Sequence, residues 1–338
     1  MTKATKKATE TSRMSQNDIK MKVENQILDM MKEKNVLIWQ CPWAFAARDM
    51  AYKGRKYRGV NSVILAMSRI YHGYNSHVWF TMSKINELNG MVWDEESKKM
   101  KRDKWVKKFY NVRINTKATP VVFWSWKEAK ENGEVVRDKN GNPKVYPLLR
   151  YYCVYNASQI VGLEDAIDSM EPCAKVLDKE EALSAEDLEK ELLSHYKDAP
   201  EIVHNADKAS YIPDFDKVYI PAISSFGTKA EYISTLAHEL GHSTGHKSRL
   251  NRLVLDKMLD PKKELKERAK EELVAEFTAA FITAHYGLEG KPTDNSAAYI
   301  QHWFKTLEEN PGLLYEAIGQ AEKAFEKIMG EEDEQSEE

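Results

Sequence analysis

Ile19, Val23, Ile27 and Met30 recur at three- and four-residue spacing behind Ser15, with Asp18 three residues beyond it, and predict an amphipathic helix from Ser15 to about Asn35. Trp39-Gln40-Cys41-Pro42-Trp43 breaks that pattern around a proline. Val63, Leu65 and Met67 predict a second helix from Asn61 to the turn at Gly73, and a short third helix follows Thr81. The period then changes. Pro120 to Trp126 reads as a strand and Val145 to Tyr155 as its partner, joined by a turn-rich loop containing Asn132-Gly133 and Asn140-Gly141. Further on, Ala209 to Pro221 reads as a hairpin, and helices run from there almost to the end. The expected class is α+β, with a mixed N-terminal domain and a mostly helical C-terminal one. The expected divisions are a disordered lead-in (1–14), a first domain (15–162), an acidic connector with one amphipathic helix after Ser184 (163–200), a second domain (201–330) and an acidic tail (331–338).

Length and composition agree with this division. A chain of 338 residues fits about two domains, and a hydrophobic fraction of 42% suits globular packing. No run of about 18 apolar residues predicts a membrane span, and the polar start lacks the apolar core of a secretory signal. Cys41, Cys153 and Cys173 are scattered without CxxC spacing, which suits a reducing cytoplasm better than a disulfide framework.

The formal net charge of −3 hides an asymmetry. Residues 1–160 carry 30 Lys and Arg against 15 Asp and Glu, whereas residues 161–338 carry 20 against 38. Seven of the eight tryptophans lie in the basic part. Such a half suits a polyanion, and aromatic rings among cations suit unpaired bases, so a single-stranded nucleic acid is the expected partner. Two clusters carry the expectation. One is the loop of Lys53, Arg55, Lys56, Tyr57 and Arg58; the other runs from Trp93 to Lys117 and includes Lys98, Lys99, Lys101, Arg102 and Trp105. Trp124 and Trp126 stand two apart in their strand, and Trp124 is expected to serve the core.

The sharpest chemistry lies in the second half. Thr228 and Glu231 make a capping-box pattern, and the helix they start carries His238-Glu239-Leu240-Gly241-His242. Histidines four apart lie one turn apart on a helix and can reach one zinc ion, while Glu239 between them can act as acid and base on water. A catalytic zinc needs a third ligand. Glu272 and Glu276 share one face of an otherwise apolar run, with Glu272 the natural ligand and Glu276 the acceptor orienting a histidine; the reverse assignment fits the same spacing. Glu271 at the helix start reads as surface. His246 superficially completes a metzincin pattern, but that pattern's position is occupied by Ser248. The hairpin upstream could offer an edge strand to an extended peptide. A zinc-dependent peptidase is therefore the expected enzyme.

GRKYRGVN (54–61), GYNSHVWFTMSKINELNG (73–90), TPVVFW (119–124), LRYYCVYNASQIVGLE (149–164), TLAHELGHSTGHKSRLNR (235–252) and EELVAEFTAAFI (271–282) together resemble the ArdC-type antirestriction proteins of plasmids and phages, in the family's order. The resemblance covers most of residues 15–310. It implies an N-terminal single-stranded-DNA-binding domain and a C-terminal zincin-like metallopeptidase domain. It further implies that His238, His242 and Glu272 hold one zinc ion, or another divalent metal such as Mn2+, and that Glu239 is the catalytic acid and base. A host restriction-system protein becomes an expected partner, and protection of incoming DNA from restriction the expected function. An apparent insertion of about twenty residues, rich in Lys and Arg, around 92–111 departs from the family's pattern. Two other readings fit the residues: a peptidase whose basic domain selects a protein substrate, and a DNA-binding protein whose metal is catalytically idle.

Overall fold

The computed structural model describes residues 14–46, 49–106, 108–131, 134–163, 183–252, 261–288 and 297–330. The lead-in, the tail, half of the acidic connector, Asn132-Gly133 and Cys173 lie outside the described residues or almost wholly so. Helix α1 (Gln16–Lys34) begins in a capping box: Ser15 Oγ accepts from the Asp18 N–H, and Asp18 accepts from the Ser15 N–H. It ends at Asn35, which takes a left-handed conformation that Asn tolerates well. Its inner face buries Ile19, Val23, Ile27, Met30 and Met31 as the periodicity predicts, and also Glu24.

After the short helix α2 (Trp43–Ala46) and strand β1 (Met50–Ala51), helix α3 spans Gly59–His72 and closes at Gly73. It starts two residues before the expected Asn61. Asn61 does not cap it; its amide donates to the Val122 carbonyl and accepts from the Val122 N–H. Strand β2 (Val78–Thr81) leads into α4 (Met82–Leu88), which Thr81 caps. The basic segment around 92–111 forms a hairpin of β3 (Met91–Asp94) and β4 (Lys99–Arg102), followed by β5 (Asn111–Val112). Strand β6 is Thr119–Glu128; β7 (Lys130–Glu131) and β8 (Glu134–Val135) pair beyond it, and β9 is Val145–Asn156. The expected β6–β9 pairing is present and antiparallel over ten residues each. The sheet order is β1-β2-β9-β6, with β10 (Ile160–Val161) pairing β5 apart from it.

The C-terminal half begins with α5 (Ala185–His195), capped by Ser184 as expected. A small sheet of β11 (Glu201–Val203), β12 (Ser210–Ile212) and β13 (Lys217–Tyr219) contains the expected hairpin and leaves β12 at an edge. Four helices follow: α6 (Lys229–Ser243), α7 (Pro261–His285), α8 (Ala297–Glu309) and α9 (Leu313–Met329). Among the described residues no helix is long and apolar enough to cross a membrane.

One continuous core runs through both halves. Trp39 packs edge-on against Phe277 of α7 and Trp303 of α8, with ring centroids 5.3 and 5.5 Å apart. The buried Glu24 of α1 reaches the start of α9, where it accepts the Gly312 N–H at 2.9 Å and the Tyr315 N–H at 3.2 Å. Gly312 has no side chain to cap α9, so a carboxylate from the other half of the chain supplies the acceptor.

Candidate metal centre and nucleic-acid surface

Helix α6 carries the two histidines that could hold a metal ion. Thr228 accepts the Glu231 N–H as expected, while Glu231 accepts the N–H of Gly227 and not that of Thr228, so the helix is capped without the reciprocal bond of a full capping box. Ile233, Leu236, Ala237 and Leu240 are buried, which turns His238 and His242 to one partly open side. Their Nε2 atoms lie 3.2 Å apart. Glu272 of α7 brings Oε2 to 3.7 Å from His238 Nε2 and 3.8 Å from His242 Nε2. Tetrahedral bonds of about 2.0–2.2 Å hold donors about 3.3–3.6 Å apart, and these three separations fall within about 0.2 Å of that range, so the atoms stand close to the corners around one ion. Glu239 is buried beside them, 8% exposed.

Helix α7 comes this close because of Gly241. A Cβ there would stand 3.0 Å from Ala275 Cα and 3.3 Å from Thr278 Cβ. The glycine between the histidines thus sets the distance from which Glu272 reaches them.

The site gathers carboxylates around two imidazoles, and their electrostatic balance favours positive charge at His238. Burial opposes protonation of His238, but contact with Glu272 and the nearby charges of Glu276 and Glu239 outweigh it and raise its pKa. The Glu272 carboxyl is held below its ordinary range by His238, against the effect of burial. Burial raises Glu276, against the pull of His238.

The orienting carboxylate differs from the expectation. Glu271 Oε1 lies 3.4 Å from His242 Nδ1, and the same carboxylate accepts from Arg252 Nη2 at 2.8 Å and Nε at 3.2 Å. Arg252 is anchored in turn on Thr244 Oγ1 and the Gly241 carbonyl. Burial would raise Glu271, but His242 and Arg252 together lower it. Glu271, which the sequence places at the surface, therefore holds the histidine. Glu276, expected in that role, accepts from the Tyr299 hydroxyl at 3.1 Å. The physical reason is the rotation of α7 against α6, which no periodicity within α7 alone encodes. Arg252 was the available signal, a cation ten residues past His242 that needs an acid. His246 turns to Ser248 Oγ at 2.7 Å and lies outside the three-donor cluster.

The expected DNA residues fall into two groups. Lys53, Arg55 and Lys56 are exposed on a tight turn, where the Ala51 N–H donates to the Arg55 carbonyl and the Tyr57 N–H to that of Asp49. Tyr57 is only 8% exposed and hydrogen-bonds Tyr152, so its ring belongs to the core and is not free to stack. Arg58 pairs with Glu326 of α9. On the β3–β4 hairpin and its exit, Lys98, Lys99 and Lys101 are exposed, though Lys98 pairs with Glu95 and Lys101 with Asp94. Arg102 stacks against Trp105 and Phe109 at 4.5 and 4.7 Å, and Trp105 is 88% exposed.

Trp124 corrects the sequence reading. Residues two apart in a strand share a face, so Trp124 and Trp126 point the same way, and both are exposed, at 52% and 64%. The reading missed further exposed aromatics on the same ribbon: Phe123, Tyr146 and Tyr152.

Comparison with known proteins places both halves. Residues 17–155 match the N-terminal domain of anti-restriction factor ArdC, and residues 189–320 match a zincin-like metallopeptidase domain. The metal-free crystal structure of the antirestriction ArdC protein from the R388 plasmid is 30% identical, with a TM-score of 0.65 over 92% of this chain and 96% of that one. Its Mn(II)-bound structure aligns at 28% identity with a TM-score of 0.64 over the same shares. Two Escherichia coli DNA primases TraC are 27% identical over 89% of this chain, which spans only 26% and 19% of their lengths.

Proposed function

Because the chain belongs to the ArdC family of antirestriction proteins, we propose that it protects the DNA of a mobile element from host restriction. In this reading it holds single-stranded DNA through its basic half and acts through a metallopeptidase site in the other. The observation that carries the enzymatic part is the convergence of His238, His242 and Glu272 donor atoms on one point beside the buried Glu239.

Two imidazoles and a carboxylate suit zinc, and Mn2+ is the alternative that the Mn(II)-bound R388 ArdC brings in. When bound, the ion supplies Lewis acidity toward water and a peptide carbonyl. The remaining steps belong to the chain's own groups. Glu239 takes the proton from the attacking water and returns it to the leaving amine. Glu271 fixes the ring plane of His242 and is itself fixed by Arg252. The edge strand β12, packed near α6, offers backbone groups to an extended substrate. A restriction-system protein of the host is the substrate or docking partner this reading requires.

The test is transfer of an unmodified plasmid into a restricting recipient, with the chain supplied in wild-type form or as Glu239→Gln or His238→Ala. Protection by the wild type and its loss in both variants is the expected result. Full protection by Glu239→Gln would overturn the peptidase part, and no protection by the wild type would overturn the antirestriction part.

A further inference from the structure

The β6–β9 ribbon has two faces of different chemistry, and the ten-residue register assigns every side chain to one of them. Residues directly opposite across an antiparallel pair share a face, and alternate residues along a strand return to it. On one face lie Val121, Phe123, Ser125 and Lys127, opposite Tyr152, Arg150, Leu148 and Tyr146. On the other lie Val122, Trp124, Trp126 and Glu128, opposite Tyr151, Leu149, Pro147 and Val145.

Both faces expose aromatic rings, but the cations of the two strands themselves, Arg150 and Lys127, lie on the first; on the second, Lys22 of α1 stands over the Tyr151 ring at 4.2 Å. Phe123, Tyr152 and Tyr146 are 40%, 37% and 42% exposed, and Arg150 and Lys127 are exposed between them. No acidic residue of either strand falls on this face between Val121 and Lys127 or their partners. The Trp124–Trp126 face has the reverse composition among the strands' own residues, with Glu128 and no Lys or Arg. The rings of Phe123 and Tyr152 are already paired, 5.6 Å apart. At its inner end the first face meets the basic turn, because the Tyr152 hydroxyl bonds Tyr57, whose neighbours Lys53, Arg55 and Lys56 are exposed.

From these features we infer that the Phe123–Tyr152–Tyr146 face of the ribbon is the surface on which single-stranded DNA lies. Bases stack on the three rings while Arg150, Lys127 and the Lys53–Lys56 turn take phosphates. The inference deepens the single-stranded-DNA reading above and rests on it. From the Val121 level to the Lys127 level the face runs about 20 Å at the rise of an extended strand. Sequence would matter little, since every base has a face to offer an aromatic ring. The buried Tyr57 acquires a role here as well: it anchors Tyr152 and the basic turn to each other without touching DNA.

The test is fluorescence anisotropy of the full chain with a labelled oligothymidylate of about twenty nucleotides, over a range of salt. Phe123→Ala and Tyr146→Ala should each weaken binding by about 5- to 150-fold, the range for loss of one stacked base. Arg150→Gln should make the salt dependence shallower by about 0.7 in the log–log slope, the single-strand value for one phosphate. Trp126→Ala, on the opposite face, should stay within about twofold of wild type. Thermal midpoints accompany each titration, and Tyr146, at the exposed end of the ribbon, keeps the test open if Phe123→Ala unfolds. Wild-type binding with Phe123→Ala, Tyr146→Ala and Arg150→Gln all unaffected would overturn this assignment alone. So would a loss confined to Trp126→Ala, or equal affinity for duplex of the same length. A wild-type chain that does not bind the oligonucleotide would overturn the DNA reading as a whole.

Discussion

Replacing Glu271 with Ala removes one carboxylate that serves two masters, and the structure allows both losses to be sized. The first is the 3.4 Å contact with His242 Nδ1. Loss of such an orienting partner typically costs about 10- to 100-fold in metal affinity. The second is the pair with Arg252, whose side chain is only 8% exposed. Breaking a buried ion pair on one side costs about 3–5 kcal/mol, and the lower end applies here because Arg252 keeps Thr244 Oγ1 and the Gly241 carbonyl. Glu271→Gln retains an acceptor of the same shape and should lie between wild type and Glu271→Ala in both respects. Glu276→Ala loses the Tyr299 hydroxyl and no contact with a ligating nitrogen, so its zinc affinity should stay within about threefold of wild type. Competition with a chromophoric chelator measures the affinities, and urea unfolding of the metal-free protein measures the stabilities. If Glu276→Ala weakens zinc tenfold or more while Glu271→Ala leaves it unchanged, the roles assigned to the two carboxylates are wrong.

Glu272→Ala should weaken zinc more than either neighbour, because it removes a ligand and not its support; an effect smaller than that of Glu271→Ala in the same chelator competition would exclude Glu272 as ligand. Gly241→Ala should destabilise the fold by about 1–3 kcal/mol and also weaken zinc, since its Cβ would meet Ala275 Cα at 3.0 Å and push α7 from the histidines. An unchanged melting temperature would show that the helices yield at no cost. Glu24→Ala removes the acceptor of the α9 N-terminus and should lower stability by about 1–2 kcal/mol. Because that contact and the Trp39 cluster join both halves, urea unfolding followed by circular dichroism and by tryptophan fluorescence should give coincident transitions; two separate transitions would contradict the shared core.

Features written in local sequence were legible in advance, and features set by the packing of distant elements were not. The Ser15–Asp18 box, the Thr81, Ser184 and Thr228 caps and the paired strands β6 and β9 depend on neighbours a few residues apart, and each stands where the sequence places it. The placement of His238 and His242 is equally local, since a helix puts residues four apart on one side. Glu271 was not legible because its role depends on how α7 is turned against α6. Tyr57 read as part of a basic loop because its partner, Tyr152, lies nearly a hundred residues away. Trp124 is a different case. The period of a strand already places it beside Trp126, and the expectation that it enters the core misapplied that period to a ribbon whose outer end neither face covers.

The central claim is that one divalent ion binds between His238, His242 and Glu272. Anomalous diffraction at the zinc edge from crystals of the zinc-loaded protein tests it most directly. The account predicts a single strong peak within bonding distance of both histidine Nε2 atoms and a Glu272 carboxylate oxygen, absent from His242→Ala crystals treated in the same way. No peak at this position, or a peak held by other side chains, would contradict it.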